Sequence, residues 1–103
     1  MERYVLAARL KPGAAAEAER LLRAGPPFDP AEAGLSAHAA YLGENHVYLV
    51  FEGEGARSKA LNLARKHMVE VARWQSVVSD LPTRLASVPP DAQRLYSWTA
   101  EDS

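Results

Sequence analysis

An α+β domain with a β-α-β-β-α-β order is what this sequence predicts, and three observations predict it. Apolar runs with strand character occur near the start, twice in the middle and near the end. Between the first two runs, and again between the last two, apolar residues recur at the three- and four-residue steps of a helix. A tight turn at Gly43-Glu44-Asn45-His46 joins the middle pair as a hairpin. That order folds as a four-stranded antiparallel sheet with both helices on one face, the ferredoxin-like layout.

Tyr4 to Leu10 is the first strand, a β-branched, aromatic and aliphatic run stopped by Lys11-Pro12-Gly13. The first helix runs from Ala14 to Ala24, with Ala14, Ala18, Leu21 and Leu22 on one face. Glu17/Arg20 and Glu19/Arg23 are favourable pairs on its wet side, and Gly25-Pro26-Pro27 stops it. Phe28 to Leu35 is a connector in which Asp29-Pro30-Ala31-Glu32 has the form of an N-cap and one helical turn. The hairpin strands are Ser36–Leu42 and Val47–Glu52, in a register that sets Tyr41 opposite Tyr48 and Ala40 opposite Leu49. A long second helix occupies Ala56 to Ser79. Along it Leu61, Ala64, Met68, Val71, Trp74 and Val78 form a continuous apolar stripe, with a bend or break expected near His67. Pro82, Pro89 and Pro90 mark a connector, Gln93–Thr99 is the fourth strand, and Glu101–Ser103 is a frayed tail.

The 103 residues form one domain, 1–103, long enough to bury a core without staples. A hydrophobic fraction of 48% with 24% charged residues is ordinary for a soluble globular chain. A net charge of -1 supplies no field to recruit nucleic acid or acidic lipid. No stretch approaches the ~20 apolar residues of a membrane span. The first apolar run is broken by Arg9, too early for a secretory signal, so a cytoplasmic location is expected. The absence of cysteine excludes disulfides, thiolate metal sites and cysteine nucleophiles. No metal and no cofactor is expected.

Parity divides the sheet into two faces. Tyr4, Leu6, Ala8, Leu10, Ala40, Leu42, Leu49 and Phe51 make a wholly apolar face, suited to lie beneath the helices. Val5, Ala7, Arg9, Ala39, Tyr41, Tyr48, Val50 and Glu52 make the other, too apolar for water yet carrying two charges. A second copy of the chain is the simplest cover for it. A homodimer is therefore expected through Tyr41, Tyr48 and Val50, with Arg9 and Glu52 free to pair with each other or across the rim.

The layout, the Leu10-Lys11-Pro12-Gly13 end of the first strand and the Phe51-Glu52-Gly53 end of the third resemble the dimeric α/β-barrel superfamily. That group includes antibiotic-biosynthesis monooxygenases and haem-degrading enzymes. Gly25-Pro26-Pro27-Phe28-Asp29-Pro30, Val50-Phe51-Glu52-Gly53 and Tyr96-Ser97-Trp98 are similar to a small uncharacterised bacterial branch of it. The resemblance implies two sheets packed face to face and a ligand cleft between sheet and helices. The asparagine, tryptophan and histidine of the haem-degrading members do not carry over, because Asn62, His67 and Trp74 share one helix here.

His38 falls on the helix-facing side of the second strand, where an imidazole could serve as a general base near neutral pH. The alternative is an edge-strand histidine bonded to backbone or water. His67 has Glu70 three residues on, a spacing that offers two metal ligands but no third. Trp74, Trp98, Tyr4, Tyr96 and Phe51 suit an aromatic-lined cavity and equally suit plain core packing. Gly53-Glu54-Gly55-Ala56-Arg57-Ser58 opens a helix after a strand, yet Glu52 and Glu54 would repel a phosphate there. The expected ligand site is Tyr4, His38, Phe51, His67, Trp74 and Trp98, holding a small apolar or aromatic molecule. The competing expectation is a cofactor-independent monooxygenase or cyclase acting on an aromatic substrate, with His38 as its base. Because the three histidines lie in separate elements, a chelator should leave the melting temperature unchanged, and a fall of many degrees would refute the metal-free reading.

Overall fold

The computed structural model describes residues 2–26, 28–80 and 82–100. Pro27 of the first helix stop and the tail Glu101–Ser103 lie outside the described residues. Five strands appear: β1 Glu2–Arg9, β2 Ala37–Leu42, β3 His46–Gly53, β4 Thr83–Leu85 and β5 Gln93–Thr99. The helices are α1 Ala15–Arg23, α2 Ala56–Lys66 and α3 Met68–Arg73, with a 3-10 turn at Trp74–Ser76. The class is α+β, with five strands and three helices where the sequence led us to expect four and two.

The sheet is antiparallel throughout, in the order β4-β1-β3-β2-β5. The hairpin register is the expected one, Tyr41 opposite Tyr48 and Ala40 opposite Leu49. The surprise lies at the edges. Three residues, Thr83–Leu85, take the place beside β1, and Gln93–Thr99 pairs with β2 instead. A three-residue strand between prolines has no periodicity to betray it, whereas the longer run carries its signal wherever it docks.

Helix α1 presents Ala18 and Leu22 to a cluster with Leu10, Ala40 and Val47. Helix α2 sets Ala56 and Ala60 against Tyr4, Leu35 and Phe51. Both clusters draw on the wholly apolar face, so the helices share it. The long second helix breaks at His67, whose φ of -113° and ψ of 47° are not helical. Its buried stripe is not the expected one. Ala56 and Ala60 face the core, while Leu61, Met68 and Val71 are exposed, Met68 at 67%. Alanines let α2 approach Tyr4 and Phe51 closely, and that approach turns the larger side chains outward.

The middle of the opposite sheet face is covered within the single chain, with Ala39 and Tyr41 half-buried, which corrects the premise that a second copy is its simplest cover. Val5 is 1% exposed and Val50 4%, with Ala7 and Tyr48 also buried in the single chain. The link from β4 to β5 joins opposite edges, so it must traverse about 19 Å of sheet, four spacings of ~4.8 Å. Helices occupy one face, and seven residues, Ala86 to Ala92, are too few to pass around them. The link therefore passes across the far face, with Val88, Pro89 and Ala92 half-buried along it. Arg9 and Glu52 do not pair: Glu52 takes Arg3 at 3.1 Å, its cross-strand neighbour, and Arg9 stands opposite His46.

Val50→Ala removes two methyl groups from this covered face and should cost about 2 kcal/mol. Urea unfolding should show that loss at a midpoint independent of protein concentration. A midpoint that falls on dilution would mean that a second copy shares the cover.

Candidate functional site

A cavity of about 230 Å³ lies between the sheet and the helices. Its floor is the helix-facing sheet, with Leu6 and Ala8 of β1, Val47, Leu49 and Phe51 of β3, and His38 of β2. Its walls are Leu21 and Leu22 of α1, Phe28 of the connector, Ala60 and Leu63 of α2, and Trp74. Ala64, Val71 and Pro82 are exposed and Glu70 half-exposed, so these lining residues mark the mouth.

His38 is 2% exposed, and two bonds hold it. Its Nδ1 lies 2.8 Å from the Val50 carbonyl of β3, and its Nε2 lies 2.6 Å from the Tyr96 hydroxyl of β5. A carbonyl only accepts, so Nδ1 carries the proton and donates it. Burial pushes the imidazole pKa down to about 4, against the smaller raising effect of the Val50 carbonyl. At neutral pH the ring is therefore uncharged and Nε2 is an acceptor, so Tyr96 donates its hydroxyl proton to it. Burial also raises the Tyr96 pKa, which keeps the phenol protonated. The pair is neutral and mutually satisfied.

Local structure explains how Tyr96 reaches His38. The β2–β5 register slips between Ala40 and Tyr41, so Ala40 faces Tyr96 while Tyr41 faces Arg94. The extra residue, Leu95, is a bulge that lets Leu95 and Tyr96 both pack on the helix-facing cluster. Ala40, fully buried and small, leaves room for the phenol to lean toward the next helix-facing residue, His38.

Aromatic rings surround the imidazole. Its centroid is 4.6 Å from that of Phe51, 5.1 Å from Phe28 and 5.3 Å from Tyr96. Phe28 also reaches His67, at 6.2 Å, and so links the floor to the helix break. Of the six residues expected at the site, His38, Phe51, His67 and Trp74 line the cavity together. Tyr4 and Trp98 do not. Tyr4 is buried in the α2 cluster with the Arg84 guanidinium 5.3 Å from its ring centre, and Trp98 packs on that cluster. Phe28, Glu70 and Tyr96 also line it. Tyr96 was visible as an aromatic in the sequence, but no local signal pairs it with His38. His67 and Glu70 both line the cavity, yet no three His, Cys, Asp or Glu residues are grouped to hold a metal among the described residues.

Compared with family models, with curated proteins and with solved structures, the chain matches none.

Two outcomes follow for His38. A histidine with a depressed folded pKa binds its proton more readily unfolded, so its contribution is full above pH 6.5 and lost toward pH 4. The fall should be about 3 kcal/mol across that window in urea titrations, with His38 ring nitrogen shifts showing the neutral form at pH 5.5. Tyr96→Phe should cost about 1–3 kcal/mol at pH 7, since it strands a buried acceptor. A variant as stable as the parent would mean that the Tyr96–His38 bond does not hold the floor together.

Proposed function

We propose that this protein binds a small apolar or aromatic molecule in the cavity between sheet and helices. The observation that carries the reading is the cavity itself: apolar walls, aromatic rings, and a polar pair at the floor already satisfied within the protein. Such a lining with few polar groups is what ligand pockets share. Size narrows the choice. A cavity of ~150 Å³ holds benzene, so about 230 Å³ suits one or two rings and is too small for a polycyclic frame.

The succession β4-β1-β3-β2, with helices on one face, supports reading the domain as ferredoxin-like with β5 added at the edge. A homodimer goes with that reading only through a surface other than the covered sheet face, and light scattering at twice the 11.2 kDa chain mass is its test. The enzymatic alternative asks His38 to take a proton from a substrate. Its Nε2 is engaged by Tyr96, and a ring pushed to about 4 is a weak base at pH 7, so the geometry favours binding over catalysis.

Indole, a two-ring probe, should bind saturably and shift the NMR signals of His38, Phe28 and Trp74. Ala8→Leu, which fills the floor from β1, should weaken that binding at least tenfold while leaving the fold intact. Equal binding by Ala8→Leu, or no saturation with the parent, would defeat the proposal.

A further inference from the structure

The polar groups of the cavity share one character that its apolar walls do not reveal. At the floor the Tyr96 hydroxyl proton is committed to His38 Nε2, so the phenolic oxygen offers only lone pairs. The His38 Nδ1 proton is committed to the Val50 carbonyl. At the mouth stands Glu70, the one Asp, Glu, Lys or Arg in the lining among the described residues. Its carboxylate makes no ion pair among the described residues, although Arg73 lies three residues on in the same helix. His67 is the remaining polar side chain in the lining among the described residues. The cavity thus presents acceptors and negative charge to whatever enters it. Its walls add the faces of Phe28, Phe51 and Trp74, which attract cations.

Resting on the binding reading above, we infer that the ligand is a small aromatic amine, its ring seated among Phe28, Phe51 and Trp74 and its ammonium group at Glu70. An anion would meet the Glu70 carboxylate with no Lys or Arg in the lining, among the described residues, to offset it. A wholly apolar molecule would leave the carboxylate half-desolvated at the mouth with nothing gained in return. An ammonium supplies the donors that Glu70 lacks at the mouth, and its hydrocarbon part matches the walls.

Three one-ring probes of similar size separate the possibilities: phenethylamine, 2-phenylethanol and phenylacetate, titrated by calorimetry at pH 7 and low salt. Phenethylamine should bind at least tenfold more tightly than 2-phenylethanol, with phenylacetate weakest. Glu70→Gln should bring the amine down to the level of the alcohol, and Glu70→Lys should move the preference toward phenylacetate. Equal affinities, or a preference of the parent for phenylacetate, would overturn the amine inference while leaving a binding cavity. Failure of all three probes to saturate would overturn the cavity reading and the inference with it.

Discussion

The imidazole of His38 is the group on which the rest of this structure depends. It is a polar ring sealed among apolar side chains, and such a ring is tolerable only when both nitrogens find partners. The partners come from two other strands, Val50 of β3 and Tyr96 of β5, so one side chain on β2 ties three strands together. The tie explains the edge that surprises. With Gln93–Thr99 docked beside β1, Nε2 would face the core without Tyr96. Beside β2, and with the bulge at Leu95, the phenol arrives where the nitrogen needs a donor.

Placing β5 at that edge has a consequence on the far face. The chain must return from β4 across the whole sheet, and on that far face Val5 and Val50 are buried. A satisfied histidine in one layer and a covered apolar face in the other are thus two results of a single topological choice. The salt bridge of Arg3 with Glu52 belongs to the same arrangement. Both residues are cross-strand neighbours on the covered face, near the ends of β1 and β3, where their charges keep contact with water.

What could be read from the sequence was what short range determines. Alternation gave the hairpin and its register, because side-chain parity and turn length fix both within a few residues. The same parity put His38 beneath the helices, where it lies. The break at His67 was legible because an uninterrupted helix would have been too long for so small a domain. What could not be read depends on distant parts of the chain. The edge that β5 takes brings Tyr96 to His38, 58 residues away. Parity showed that the second face needed a cover, but no local pattern says that a seven-residue, proline-rich link will supply it.

The apolar stripe of the second helix shows most clearly how local pattern and global packing part company. Leu61, Met68 and Val71 have the spacing of a core face, and the structure leaves them exposed. In their place Ala56 and Ala60 meet the sheet, with Leu63 half-buried and His67 at the break. A helix that buries alanines sits close at its start and leaves volume unfilled farther along. The cavity is that volume. At roughly 24 cal/mol per Å³, 230 Å³ of dry space would cost up to about 5.5 kcal/mol, an upper limit because this space opens to the surface. A core built for stability alone would have rotated α2 and filled the space with the leucine and methionine that the sequence already carries. The unfilled volume and the outward-facing stripe therefore have one cause, and the rotation that leaves the cavity open also brings His67 and Glu70 to its edge.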